Sequence, residues 1–117
     1  MILCVVDDLM FSVKISSAAK AVNAAVVFER VPAAVLTRIR DERPSLVIFD
    51  LNSSRLAPIE TIRAIKTDDE LRGTRTVGYA SHVQTDVIAA ARAAGCDEVL
   101  ARSAFSEKLG SILTGAS

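Results

Sequence analysis

The stretch LVIFDLN, residues 46–52, is the clearest indication of the fold of this chain. Four apolar residues run without a polar break into Asp50, a pattern typical of a strand that is buried on both faces. A similar stretch, ILCVVDD at residues 2–8, ends on Asp7 and Asp8. Strands buried on both faces occur in parallel sheets with helices on either side, so both stretches predict central strands of one such sheet.

Short apolar runs and longer segments of helical period alternate along the rest of the chain. Three further strands are predicted at AAVVFE (24–29), TVGYA (76–80) and EVLA (98–101).

The helical segments carry apolar residues at helical spacing. These are Phe11, Ile15, Ala18 and Val22; Ile59, Ile62 and Ile65; Val87, Ile88 and Ala91; and Phe105, Leu109 and Ile112. The second helix is predicted from Pro32 to just before Pro44, and the third and fourth are predicted to stop near Gly73 and at Gly95. Five βα units predict an α/β fold, a doubly wound (βα)5 five-stranded parallel sheet in one domain over residues 1–117.

Composition excludes several classes of function. Lysine plus arginine and aspartate plus glutamate number 14 each, so no net charge attracts a nucleic acid. The chain has no tryptophan and few other aromatic residues on which bases could stack. Cys4 and Cys96 stand far apart and predict buried core residues in a reducing cytoplasm. No apolar run reaches membrane-spanning length and no basic leader opens the chain, which favours a cytoplasmic protein without membrane contact.

The acidic residues at the strand ends are the strongest functional signal. Ligands of an open parallel sheet bind at the carboxyl ends of its strands, where the strand order reverses. With the flavodoxin-like order 2-1-3-4-5, Asp7, Asp8 and Asp50 converge there and repel one another. A hard divalent cation such as Mg²⁺ removes that conflict and makes phosphoryl transfer plausible, with Asp50 as the nucleophile. The alternative is structural: Asp8 caps the following helix and Asp7 is solvated.

This pattern resembles the receiver domain of bacterial response regulators, the phospho-accepting part of two-component signalling, over essentially the whole chain. The resemblance implies that Asp7 and Asp8 bind Mg²⁺ and that Asp50 is the phosphorylated aspartate. It also implies that Asn52, two residues after the acceptor, gives the metal its backbone carbonyl. The stretch AAGCDEVL (93–100) is similar to the Gly-Ala-Asp-Asp-Tyr segment of that family.

The sequence departs from the family pattern at the end of the fifth strand. The family lysine falls on Arg102 and the proline after it on Ser103, and the aromatic residue that changes rotamer falls on Val99. Arg102 retains a positive charge that could reach a phosphoryl oxygen, although its planar group does not replace a compact ammonium. The alternative is an exposed arginine that follows an edge strand.

Two loops depart from the pattern as well. The family hydroxyl at the end of the fourth strand falls on Ala80, and Ser81, one residue later, is the candidate to contact a phosphoryl group if the loop is shifted by one residue. After the acceptor, Ser54 stands where the family prefers proline and Pro58 where it prefers glycine. His82 lies at the same end of the sheet but has no second ligand at metal spacing, so a loop histidine without a catalytic role is favoured.

Two functions follow from the resemblance. The first is a receiver that accepts a phosphoryl group on Asp50 from a sensor histidine kinase or phosphotransfer protein and signals to a downstream protein target through changed contacts. The second is a pseudo-receiver that binds a partner independently of phosphorylation. A hydrolase is disfavoured, because no serine or cysteine has a convincing histidine partner, and the chain is not expected to be an enzyme.

The apolar face of the fourth helix and fifth strand is the candidate surface for a homodimer. No output domain follows Phe105, so either a stand-alone receiver or one domain of a longer regulator is expected.

Overall fold

The predicted parallel sheet is present, with its strands in the order 2-1-3-4-5. A computed structural model describes residues 1–115 of the chain. The strands are β1 (Ile2–Val5), β2 (Val26–Phe28), β3 (Leu46–Asp50), β4 (Arg75–Ala80) and β5 (Glu98–Ala101). The helices are α1 (Leu9–Ala21), α2 (Pro32–Glu42), α3 (Pro58–Thr67), α4 (Thr85–Ala93) and α5 (Arg102–Gly115), with a 3-10 turn at Ser54–Leu56.

The central strands are the two that the sequence marked as apolar on both faces. Every residue of β1 and β3 is buried, whereas the edge strands β2 and β5 are only partly buried. All four strand pairs are parallel, and the register sets Val5 opposite Phe49 and Asp50 opposite Tyr79. The carboxyl ends of β1, β3 and β4 therefore lie at one edge of the sheet.

Two apolar layers cover the sheet, one on each face. One layer joins the sheet to α1 and α5 and includes Phe11, Ile15, Phe105 and Leu109. The other joins it to α2, α3 and α4 and includes Val35, Ile39, Ile62, Ile65 and Ala91. The doubly wound arrangement inferred from the sequence is confirmed.

The helix boundaries follow local chemistry, with one difference from the prediction. Pro32 opens α2, where its fixed φ suits the first turn. Gly95 follows α4 with a φ of 101°, a conformation that glycine adopts without a steric penalty. Helix α3 ends at Thr67, several residues before the predicted stop at Gly73, because Asp68 leaves the helical conformation and accepts hydrogen bonds from the next turn.

Asp97 fastens β5 to its neighbours. One oxygen of its carboxylate accepts hydrogen bonds from Lys66 Nζ at 2.8 Å, from the Thr76 backbone N–H at 2.8 Å and from the Thr76 hydroxyl at 3.1 Å. Burial alone would raise the pKa of Asp97, but the bonds from Lys66 and Thr76 outweigh it and hold that pKa below its ordinary value. The acid before the fifth strand is therefore a structural residue.

Replacing Asp97 with alanine should lower the free energy of unfolding by about 1–2 kcal/mol near neutral pH, after allowance for solvent screening of a half-exposed group. Because the folded-state pKa is depressed, this contribution is present above the unfolded pKa of about 4 and is lost as the pH falls through the lower folded value. Urea denaturation at several pH values measures it. The control is Asp69→Ala, at an exposed carboxylate, and equal losses in the two variants would contradict the expectation.

Among residues 1–115, no helix combines the length and the apolar character that crossing a bilayer requires.

Candidate functional site

Asp50 occupies the centre of the sheet edge formed by the carboxyl ends of β1, β3 and β4. Its side chain is 5% exposed, and Oδ1 accepts a hydrogen bond of 3.0 Å from the Asn52 backbone N–H. Burial raises the pKa of Asp50, and the negative charges of Asp8 and Asp7 raise it further, while the Asn52 N–H and the Arg102 charge oppose the shift. A buried carboxylate whose pKa is raised by neighbouring acids is the electrostatic arrangement expected from the sequence.

Asp8 caps helix α1. Its Oδ1 accepts a hydrogen bond of 3.1 Å from the Phe11 backbone N–H, and its backbone carbonyl accepts bonds from the N–H and the hydroxyl of Ser12. The capping alternative for this residue therefore describes its geometry. Capping engages one carboxylate oxygen, so the second oxygen is still a potential ligand.

Asp7 has a partner that the sequence did not suggest. Its Oδ2 lies 3.0 Å from Nε of Arg55 in the 3-10 turn, and the same guanidinium donates to the backbone carbonyl of Arg30 at 3.0 Å. The hydrogen bond and the charge of Arg55 hold the pKa of Asp7 below its ordinary value. Arg55, in the loop after β3, thus bonds to the loops that follow β1 and β2.

The fit of a metal ion to these acids is partial. Residues 1–115 contain no group of three or more histidine, cysteine, aspartate and glutamate side chains that could hold one, so the predicted convergence of Asp7, Asp8 and Asp50 is incomplete. Asp7 is directed to Arg55 and Asp8 to the start of α1, which accounts for the difference. The donor type still suits Mg²⁺, because carboxylate oxygens are its preferred ligands and the charges of Asp7 and Asp8 act on Asp50.

Asn52 and Ser81 connect the loops that follow β3 and β4. The Asn52 side-chain oxygen accepts a hydrogen bond of 3.3 Å from the Ser81 backbone N–H, and its amide nitrogen is buried without a partner among the described residues. Ser81 is half-buried at the mouth of the site, whereas Ala80 is fully buried. Ser81 is therefore close to Asn52 in space, and its predicted role stays a prediction.

Arg102 is the first residue of α5 and extends over the ring of Phe11, with its guanidinium carbon 5.5 Å from the ring centre. It borders a groove of about 700 Å³ between the starts of α1 and α5, together with Asp8, Lys14, Ser81 and His82. His82 is exposed in this groove. Arg102 is near enough to Asp50 to act on it electrostatically.

Tyr79 is the second residue that the sequence did not single out. It pairs with Asp50 in the register of β3 and β4, so both side chains leave the same face of the sheet. Its ring packs against the rings of Phe11 in α1 and Phe105 in α5, with centroid separations of 4.7 and 4.5 Å, and those two rings lie 6.2 Å from each other, so the three form one cluster. The sequence places Tyr79 one residue before Ala80, but its position beside Asp50 follows only from the register of β3 and β4.

No family model matches the sequence, and no curated protein matches it either. Solved structures do resemble it. The receiver domain of NtrX from Brucella abortus has a TM-score of 0.81 at 19% identity, over 99% of this chain and 97% of that one. The Mn²⁺-bound form of response regulator Rcp1 has a TM-score of 0.79 at 18% identity, over 95% of this chain and 89% of that one. The phosphorylated cyanobacterial phytochrome response regulator RcpA has a TM-score of 0.77 at 23% identity, over 97% of this chain and 88% of that one. The chain has the fold of response regulator receiver domains.

Proposed function

We propose that this chain is a response regulator receiver domain that accepts a phosphoryl group on Asp50 in a Mg²⁺-dependent reaction. The observation that carries the proposal is the position of Asp50: a buried carboxylate at the end of the central strand, flanked by two acids from the loop after β1. The same fold occurs in a phosphorylated response regulator and in one bound to Mn²⁺, which supports both parts of the proposal.

The residues of this chain have distinct tasks in the transfer. Asp50 Oδ1 is held by the Asn52 N–H, which leaves Oδ2 to attack phosphorus. The new oxygen–phosphorus bond forms as the bond between phosphorus and a histidine nitrogen of the donor breaks, and the electron pair leaves with the imidazole. Arg102 lowers the energy of negative charge at Asp50 and would do the same for phosphoryl oxygens.

The divalent cation is proposed to be held by Asp7, Asp8, Asp50 and the backbone carbonyl of Asn52. When bound, Mg²⁺ offsets the charge on the carboxylates and on the transferring phosphoryl oxygens. The Arg55 guanidinium is paired with Oδ2 of Asp7, so it competes with the cation for that carboxylate. Ser81 is the proposed hydroxyl contact to the phosphoryl group from the loop after β4.

The proposed partners are proteins. A sensor histidine kinase or phosphotransfer protein in the cytoplasm would supply the phosphoryl group, and a downstream protein target or a second copy of the chain would read the altered surface. The balance of 14 basic and 14 acidic residues gives no reason to add a nucleic acid.

A second candidate function is a pseudo-receiver that binds its partner regardless of phosphorylation. The ion pair between Asp7 and Arg55 and the alanine at position 80 favour it, because one engages a proposed metal ligand and the other lacks the family hydroxyl. A pseudo-receiver would bind its partner equally well with or without Mg²⁺ and a phosphodonor.

Intact mass spectrometry after incubation with acetyl phosphate separates the two functions. We expect the wild-type chain to gain the mass of one phosphoryl group only when Mg²⁺ is present, and Asp50→Asn to gain nothing. The matched control is Asp41→Asn, at an exposed aspartate of α2, which should gain as much as the wild type. No gain in the wild type, together with no Mg²⁺ binding, would favour the pseudo-receiver.

A further inference from the structure

Tyr79 carries a buried hydroxyl group without a partner. The residue is 0% exposed, and its hydroxyl makes no hydrogen bond within residues 1–115. A buried donor that has lost its hydrogen bond to water weakens the folded state, and such groups are few in native proteins. An acceptor that arrives during function would remove this cost.

The surroundings of Tyr79 fix both its position and its protonation state. Contacts with the rings of Phe11 and Phe105 restrain the Tyr79 ring, and the strand register aligns the residue with Asp50. Burial raises the pKa of Tyr79 far above its ordinary value, and the negative charges of Asp50 and Asp8 add to that effect. The phenol is therefore neutral at physiological pH and can act only as a hydrogen-bond donor towards an anion.

We infer that the Tyr79 hydroxyl donates a hydrogen bond to the phosphoryl group on Asp50, in place of the hydroxyl that Ala80 lacks. The inference rests on the proposed function, since it needs a phosphoryl group on Asp50. Three features carry it: the same face of adjacent strands, a ring packed against two other aromatic rings, and a donor with no partner among the described residues. Tyr79 also contacts Phe11 of α1 and Phe105 of α5, so a displacement of the Tyr79 side chain on phosphorylation would be transmitted to both helices.

The chain provides its own probe for a test. Tyr79 is the only tyrosine and there is no tryptophan, so near-ultraviolet emission reports on this one ring. Beryllofluoride with Mg²⁺ mimics a phosphoryl group on a carboxylate and can be titrated without turnover. Binding is measured by tyrosine emission in the wild type and by calorimetry in the wild type, Tyr79→Phe and Ser81→Ala, with Asp50→Asn as the unreactive reference.

We expect beryllofluoride to change the tyrosine emission of the wild type and to bind Tyr79→Phe about tenfold more weakly. The melting temperature of Tyr79→Phe without beryllofluoride should equal or exceed that of the wild type, because the variant keeps the ring and loses only the unpaired hydroxyl. If the Tyr79 hydroxyl had a purely structural role, its loss would leave the affinity for beryllofluoride unchanged.

The other outcomes show whether the inference about Tyr79 or the proposed function is wrong. If the wild type binds beryllofluoride and Tyr79→Phe binds it equally well, the inference about Tyr79 is wrong and the proposed function stands. If only Ser81→Ala weakens binding, the hydroxyl comes from Ser81 and the inference is again wrong. If the wild type does not bind beryllofluoride with Mg²⁺, the proposed function fails and the inference fails with it.

Discussion

Replacing Phe105 with alanine should lower the free energy of unfolding by about 3–5 kcal/mol. The ring is 0% exposed, and it stacks on Tyr79 at 4.5 Å and lies 6.2 Å from the ring of Phe11. Truncation removes apolar contacts between α5 and the sheet and leaves a cavity beside two rigid rings that cannot easily close it. No other single substitution considered for this chain should cost as much.

Urea denaturation followed by far-ultraviolet circular dichroism measures the loss, provided that both transitions are two-state. The control is Phe28→Ala, because Phe28 is partly exposed on the edge strand β2 and should lose clearly less on truncation. Equal losses in the two variants would show that the cluster formed by the rings of Phe11, Tyr79 and Phe105 is not the centre of this layer. Tyrosine emission adds a local readout, since Tyr79 should become more accessible to a quencher in Phe105→Ala.

This three-ring cluster also matters for the candidate site. Phe11 borders the groove beside the acids, Tyr79 lies next to Asp50 in the sheet, and Phe105 belongs to α5, which begins at Arg102. A shift of any one ring therefore displaces groups at the site. Phe105→Ala should for this reason also weaken beryllofluoride binding, even though Phe105 is not one of the residues proposed to hold the metal or the phosphoryl group.

Much of the fold could be predicted because the deciding signal is local. The uninterrupted apolar runs at residues 46–49 and 2–6 correspond to strands buried on both faces, and the helical periods mark the layers that cover them. The 3-10 turn at Ser54–Leu56 was not predicted. Its sequence has no helical period, and it depends on Ala57 taking a left-handed φ of 47° ahead of Pro58.

The sequence predicted which acids lie at this edge of the sheet but not how they are arranged. Asp7 and Asp8 follow β1 and Asp50 ends β3, so all three lie at the carboxyl ends of central strands. The partner of Asp7 could not be predicted, since Arg55 is 48 residues away along the chain and sits in a turn whose shape was unknown. The position of Tyr79 beside Asp50 similarly depends on a strand register that no local pattern specifies.

Removal of the Arg55 side chain should have a large effect on the affinity for Mg²⁺. Its guanidinium lies 3.0 Å from Oδ2 of Asp7, so a cation that binds Asp7 competes with the guanidinium for the carboxylate and is repelled by its positive charge. Replacing Arg55 with alanine should therefore strengthen Mg²⁺ binding severalfold. Folding stability in the absence of metal should change little, because the ion pair is largely exposed and such pairs add little to stability.

Calorimetric titration of Mg²⁺ into the wild type, Arg55→Ala and Arg63→Ala tests this, with Arg63→Ala removing a matched charge from the exposed face of α3. Tighter binding in Arg55→Ala alone would identify Asp7 as a ligand and Arg55 as its competitor. Equal affinity in all three proteins would remove Asp7 from the ligand set, whereas no binding in any of them would favour the pseudo-receiver. The competition should weaken at high salt in the wild type only, because added ions screen the pair between Asp7 and Arg55 and the variant no longer has that pair.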